Sequence, residues 1–260
     1  MKFLLLLCFS DAEYFRVNLI SDLYSQEYMI KKVLVRGDKK LYWKGGDLHS
    51  SEGVLREEDL EKALGSVISH TGKTFTIFNA NFVDQIKKIK RGPQTLVLKD
   101  LGYIFINSGV TKDSFVVDAG TGCGLLASVM GMHAKKVVSY DNRKEHLKIA
   151  QKNLDFFNID NVELKEKDVY EGIDEKDVDI LTLDLAEPWR VYTSCVKNGG
   201  TIIVYLPTIV QVQEFCEKSN DYVEKVVELI EREWYVKGKK VRPKSQMLGH
   251  TAFLIIVRKI

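Results

Sequence analysis

Four carboxylates and a run of glycines are the residues of this chain whose types and spacing could do chemistry. Val116-Val117-Asp118-Ala119-Gly120-Thr121-Gly122-Cys123-Gly124-Leu125-Leu126 joins an apolar run to a helical pattern that begins at Leu125, which predicts strand, turn and helix. With no side chain at Gly120, Gly122 or Gly124, a ligand can lie on the backbone and take hydrogen bonds from the free amides of a helix N-terminus. The dinucleotide fingerprint fails here, because Leu125 stands where its third glycine belongs. Asp118 would also sit close to a pyrophosphate, and like charges in a partly dry site cost on the order of kcal/mol. S-adenosylmethionine has no phosphate and carries an ammonium and a sulfonium, so it suits a carboxylate at the strand end.

The other three carboxylates follow later strand-like runs. Asp141 ends Val137 to Tyr140, at the place from which an acidic residue in nucleotide-binding βαβ units accepts hydrogen bonds from ribose hydroxyls. Asp168, beside Val169, follows the short run Val162 to Leu164; it suits either an adenine amino group or the capping of a turn. Asp184 follows Val178 to Leu183 and opens Asp184-Leu185-Ala186-Glu187-Pro188-Trp189. In open α/β sheets ligands bind beyond the carboxyl ends of the strands, so Asp184 is expected to face the same crevice as the glycine turn and Asp141. Trp189 would wall that pocket, stack on a base or simply pack in the core.

These residues need a scaffold, and from Val116 onward the chain alternates strands with helices, the pattern of a parallel sheet covered on both faces. Leu147, Ala150, Leu154 and Phe157 form one helical stripe. Upstream, Tyr28 to Val35, Lys40 to Lys44 and Lys73 to Phe78 read as strands between glycine turns. The fold class is therefore α/β: a small β domain over residues 1–78 precedes a Rossmann-like domain over 79–260. Arg56 to Leu64 is expected to make one or two helical turns, Asp84 to Arg91 a helix with basic residues around Ile86 and Ile89, and Leu101 to Val110 a helix or an extended run. Met1 to Phe9 imitates a short signal peptide but has no cleavage site and is too short to span a bilayer; a buried strand is expected.

Composition narrows the setting. The net charge of only +2 leaves no global field to recruit nucleic acid, so any such contact must come from local patches. Four cysteines without a Cys-x-x-Cys pair indicate neither a disulfide frame nor a zinc site, and no metal is expected; a reducing cytoplasm fits.

Five stretches in order carry a resemblance to a family. They are Arg91-Gly92-Pro93-Gln94 with Lys99-Asp100-Leu101-Gly102, the glycine turn, Asp184 to Trp189, Tyr205-Leu206-Pro207-Thr208 with Gln211-Val212, and Arg242-Pro243 with Met247-Leu248-Gly249-His250-Thr251. Together they resemble the tRNA (adenine-58-N1)-methyltransferases. The resemblance implies a class I S-adenosylmethionine-dependent methyltransferase domain, a homotetramer, and methylation of N1 of adenine 58 in the T-loop of tRNA, with adenine 57 a further target in archaeal members. Residue by residue, it implies that Gln94 and the turn from Gly120 through Gly122, Cys123 and Gly124 to Leu125 hold the methionine part of the cofactor, beside the Asp118 already assigned to it from its place at the strand end. It gives the ribose to Asp141 with His146 nearby, the adenine to Asp168 and Val169, and catalysis to Asp184, which also borders the cofactor. Departures are mild: Cys123 stands where serine is usual, Asp118 and Asp141 where glutamate is frequent, and Val97 and Leu98 where some members place a tyrosine.

Candidates for RNA contact are Arg91, Lys240, Arg242 and His250, within the basic stretches Lys87 to Arg91 and Lys237 to Lys244. The competing expectation makes the C-terminal strands a hairpin buried at a subunit interface, with its lysines solvated. Other functions to be weighed are a class I methyltransferase acting on another base or a small molecule, and a non-catalytic RNA-binding subunit of a heteromeric enzyme. The intact glycines and Asp184 argue against the latter.

Overall fold

The structure, a computed structural model, describes residues 29–92 and 95–260. The strand expected at Met1 to Phe9, and Gln94, lie outside the described residues. The chain forms two compact units. Among the described residues, one takes in those up to Ile89 together with Asp155–Asn158, and the other those of Lys90–Leu154 with Ile159–Ile260.

The first unit is built from short antiparallel strands, β1 (Lys32–Arg36), β2 (Lys39–Trp43), β3 (Leu48–Ser50), β4 (Gly53–Leu55), β5 (Gly65–Ile68) and β6 (Thr74–Asn79), with helices α1 (Glu57–Lys62) and α2 (Phe82–Ile86). Its sheet runs β2-β1-β6-β5, and β3 pairs with β4 alone. Alternating side chains of these strands converge with Leu55 and Leu60 on a core of Leu34, Trp43, Val67, Phe75 and Ile77. Gln85 anchors α2: its side chain accepts from the Ile30 amide at 2.9 Å and donates to the Ile30 carbonyl at 2.7 Å.

The second unit begins with α3 (Leu98–Ser108), a full helix where the sequence left helix and extended run open; it is closed by Gly109 in the left-handed region at φ 67°. Then follow β7 (Phe115–Ala119), α4 (Leu125–Gly131), β8 (Lys136–Asp141), α5 (Lys144–Phe157), β9 (Val162–Glu166), β10 (Val178–Leu183), β11 (Val196–Leu206), α6 (Ile209–Lys218), β12 (Tyr222–Glu228), β13 (Trp234–Lys237), β14 (Lys240–Pro243) and β15 (Phe253–Arg258). Seven of these strands make one sheet in the order β12-β15-β11-β10-β7-β8-β9. From β11 through β9 the strands are parallel. β15 runs antiparallel to both its neighbours.

The C-terminal run is thereby corrected. Phe253 to Val257, expected in a hairpin buried at a subunit interface, is a strand inserted between β11 and β12 of this chain's own sheet, with Leu254, Ile255 and Val257 fully buried. An unbroken apolar run is what a strand covered on both faces requires. The hairpin is β13–β14, just upstream. No described helix is long and apolar enough to cross a membrane.

Because β7 is flanked by β8 on one side and β10 on the other, the chain leaves β7 in one direction and returns on the other side. That makes the carboxyl ends of β7 and β10 the switch point at which an open α/β sheet forms its ligand crevice.

Candidate active site

The crevice is shaped by backbone before any side chain enters it. Beyond Ala119 the chain turns through Gly120 at φ 100°. The amides of Gly120 and Thr121 donate to the Tyr140 carbonyl on β8 at 2.9 and 3.0 Å, and the Asp184 amide donates to the Ala119 carbonyl at 2.9 Å. These bonds draw three strand ends together so tightly that a Cβ on Gly120 would lie 2.2 Å from the Asp184 carbonyl oxygen. Gly124, at φ 76°, has a different duty. A Cβ there would lie 2.8 Å from the Cβ of Ala150, so the glycine lets the start of α4 rest on α5. Asn153 on the same helix braces the turn, donating to the carbonyls of Cys123 at 2.7 Å and Lys90 at 2.8 Å.

Gly92, Gly120, Gly122, Asp141, Arg143, His146 and Asp184 line one depression of about 110 Å³. A second shares Gly120, Gly122 and Asp184 with it and adds Thr95, Leu96, Thr121, Cys123, Leu125 and Leu126. Asp141 is fixed at several points. One oxygen accepts from the Gly122 amide at 3.0 Å and faces His146 Nδ1 at 3.0 Å; the other accepts from the Arg143 amide at 2.9 Å. Asp184 is exposed to the crevice. The protein packed around it, together with the charges of Asp118 and Asp141, pushes its carboxyl up to about 7. Water entering the open crevice offsets part of that desolvation.

Asp118 lies beneath this floor and lines neither depression. It is 1% exposed, and its two oxygens accept from the hydroxyls of Ser139 and Thr182, both at 2.6 Å. Burial holds its carboxyl above the usual carboxylate range despite those hydrogen bonds. The sequence placed the Asp118 carboxylate against a ligand; in the structure it ties β7 to β8 and β10 under the glycine turn. Asp168 caps the three-ten turn Val169–Glu171, accepting from the Tyr170 amide at 3.0 Å, and Val169 is buried. Neither lines the two depressions.

None of the prospective RNA residues lines either depression, although Arg91 directly precedes the lining residue Gly92. Lys240 stands 4.9 Å from the ring of Tyr235, and Arg242 donates to Ser245 Oγ at 3.3 Å, both on the exposed β13–β14 hairpin. Arg91 is exposed. His250 has protein partners on both ring nitrogens, Glu228 at 2.6 Å and the Pro207 carbonyl at 2.8 Å, and these raise its pKa.

One polar cluster near the site received no role from the sequence. Asp100, fully buried in α3, accepts from Lys99 at 2.6 Å and from the Tyr205 hydroxyl at 3.0 Å, while Lys99 also donates to Thr251 Oγ1 at 2.6 Å. Burial, followed by the Asp100 carboxylate, pushes the Tyr205 phenol far above its usual range, and the charge of Asp184 adds to that. The signal available in the sequence was a charged pair, Lys99-Asp100, inside an otherwise apolar helix face.

Comparison with known proteins places this geometry. The family described as the tRNA methyltransferase complex GCD14 subunit matches residues 87–252, more than half of the chain. The chain belongs to this family. It is 32% identical to the tRNA (adenine(57)-N(1)/adenine(58)-N(1))-methyltransferase TrmI of Methanocaldococcus jannaschii, over 94% of this chain and 95% of that protein. It is 31% identical to the tRNA (adenine(58)-N(1))-methyltransferase TrmI of Thermus thermophilus, over 83% of this chain and 89% of the relative. Among solved structures it is similar to the tRNA (m1A58) methyltransferase TrmI of Aquifex aeolicus, with TM-score 0.77 and 27% identity over 88% of this chain and 96% of that one. It is also similar to a SAM-dependent O-methyltransferase of Thermotoga maritima, with TM-score 0.79 and 28% identity over 90% and 95% of the two chains. The family match begins at Lys87, so it takes in the Lys99–Asp100 pair, the glycine turn and Asp184.

Proposed function

We propose that this protein is an S-adenosylmethionine-dependent methyltransferase that methylates N1 of adenine 58 in the T-loop of tRNA. The observation that carries the reading is the position of Asp184, an exposed carboxylate whose backbone is locked against the glycine turn at the switch point. When bound, S-adenosylmethionine supplies an electrophilic methyl group on a cationic sulfur. The crevice fits such a group: it has a glycine floor that a Cβ would fill, and three of its lining residues, Asp141, His146 and Asp184, present acceptor groups or an imidazole. Gly120, Gly122, Cys123 and Leu125 would hold the methionine part, and Asp141 with His146 the ribose. Gln94, Asp168 and Val169 complete the proposed set, while Asp118 stiffens the floor from below and Gly124 seats the helix.

N1 of a paired adenine is a poor nucleophile, and its methylated product is a cation, so the base must leave its stack and meet negative charge. Asp184 accepts a hydrogen bond from the exocyclic amine, raising electron density at N1, and then faces the cation that forms. Positive charge arriving beside Asp184 draws its raised pKa down again, so the carboxylate is ionised when it is needed. Transfer to an oxygen acceptor would instead ask this carboxyl to remove a hydroxyl proton.

The protein acts as a homotetramer in this reading, in the cytoplasm, and tRNA is its macromolecular substrate. The test uses two tRNA transcripts, one unaltered and one with adenine 58 replaced by uridine, and labelled cofactor. The reading expects label on the first and its loss on the second, with any residual label mapped to adenine 57. Equal labelling of both at sites other than 57 and 58 would contradict it.

A further inference from the structure

In the first unit, positive charge collects around one aromatic ring. Tyr42 lies on β2, half-buried. The ammonium groups of Lys40, Lys87 and Lys88 stand 5.4, 5.6 and 5.4 Å from its ring centre, and Lys87 donates to the phenol oxygen at 3.0 Å. Lys40 and Tyr42, two residues apart on one strand, share a face of the sheet. Lys87 and Lys88 arrive over that face on the turn that ends α2. This helix is held firmly: Asn81 and Asp84 form a capping box at its start, and Gln85 binds the backbone of Ile30. The lysines therefore meet the ring from two elements more than forty residues apart, neither of which is a loose loop.

The charges are poorly compensated. One carboxylate serves the group: Asp84 pairs with Lys40 at 2.9 Å and its charge also acts on Lys87, while neither Lys87 nor Lys88 forms a salt bridge with a described residue. All three lysines are exposed. Mutually repelling ammonium groups ordinarily spread into water; here the ring draws in Lys40 and Lys88, and its phenol oxygen holds Lys87. Ring and lysines thus present a compact group of charge to an incoming polyanion, whose bound counterions are released when it docks.

We propose that Lys40, Tyr42, Lys87 and Lys88 form a phosphate-binding surface on the small domain that grips the backbone of tRNA. The proposal rests on the tRNA reading given above. It assigns RNA rather than an acidic protein because the net excess of about two charges, three lysines against Asp84, matches the regularly spaced neighbouring phosphates of a nucleic-acid backbone.

Three forms of the full-length protein test it: wild type, the double variant Lys87→Gln with Lys88→Gln, and Tyr42→Leu with all lysines kept. Affinity for unmodified tRNA transcript is measured between about 50 and 200 mM salt, together with cofactor affinity and the single-turnover methylation rate at saturating tRNA. The double variant is expected to bind tRNA about tenfold or more weakly at low salt. The slope of log affinity against log salt should shrink by about 1.4 to 1.8, at about 0.7 to 0.9 for each phosphate that is no longer neutralised. Cofactor affinity and the saturated rate should stay within about twofold, which a misfolded variant would not achieve. Tyr42→Leu should keep most of the slope but bind about threefold more weakly as the lysines spread. An unchanged affinity and slope in the double variant overturns the proposal, as does weakening confined to acidic polypeptide with tRNA binding intact. Absence of tRNA binding in the wild type would instead overturn the tRNA reading.

Discussion

Replacing Asp184 separates chemistry from binding. In Asp184→Ala the backbone contacts that lock the strand end survive, because the Ala119 carbonyl is met by the amide of residue 184 and the Gly120 approach by its carbonyl. The fold and the glycine floor should therefore persist, with cofactor affinity within about tenfold of wild type. What disappears is the negative charge facing the acceptor base, and removal of one charge-stabilising group costs about 2.7–4 kcal/mol, or about a hundredfold to a thousandfold in rate. Single-turnover methylation of tRNA transcript with saturating cofactor is the assay. A pH series adds a second constraint. At subsaturating cofactor and tRNA, where the carboxyl of the free protein is raised to about 7, wild type should gain activity as pH rises through neutrality, and Asp184→Asn should lose that dependence along with most of the rate. The effect on stability has the opposite sign. The folded protein holds the Asp184 proton more tightly than the unfolded chain, so between the ordinary 3.8 and about 7 stability falls as pH rises. Asp184→Asn should accordingly stabilise the unliganded protein at pH 8, by about 1 kcal/mol once solvent screening of the exposed group is allowed for, and have little effect at pH 4. Wild-type turnover in Asp184→Ala, with cofactor binding retained, would refute the assignment of chemistry to this residue.

Two further substitutions probe the supports of the site. Gly120→Ala forces a Cβ to within 2.2 Å of the Asp184 carbonyl at a φ that side chains rarely adopt, so cofactor affinity and methylation should both fall at least a hundredfold, as titration calorimetry and turnover would report. Asp100→Ala strands the 9% exposed Lys99 ammonium without its partner and should cost about 3–5 kcal/mol in urea unfolding; the double change Lys99→Met with Asp100→Leu should recover most of that.

The crevice was legible because its makers sit at the ends of apolar runs: Gly120, Gly122, Asp141 and Asp184 follow strands whose hydrophobic stretches are plain in the sequence. What could not be read was direction. Asp118 has the composition of a ligand-facing residue, but in a strand covered on both faces its side chain has only the Ser139 and Thr182 hydroxyls to meet. The Lys99–Asp100 cluster was hidden for another reason: its partners are 105 and 152 residues away, and no local pattern joins Asp100 to Tyr205 or Lys99 to Thr251. In the first unit, β3 and β4 are three residues each, too short for alternation to register. The burial of β15 was legible in the continuous apolar run from Phe253 to Val257, but its place was not: local sequence joins it to the strands just before it as a hairpin, whereas its partners β11 and β12 lie further back in the chain.

The central claim is the identity of the methylated atom, and it is settled by incubating the protein with labelled S-adenosylmethionine and unmodified tRNA transcript, digesting to nucleosides and identifying the labelled species. The account predicts that the label appears in 1-methyladenosine. Label in any other nucleoside, or none despite bound cofactor and tRNA, would contradict it.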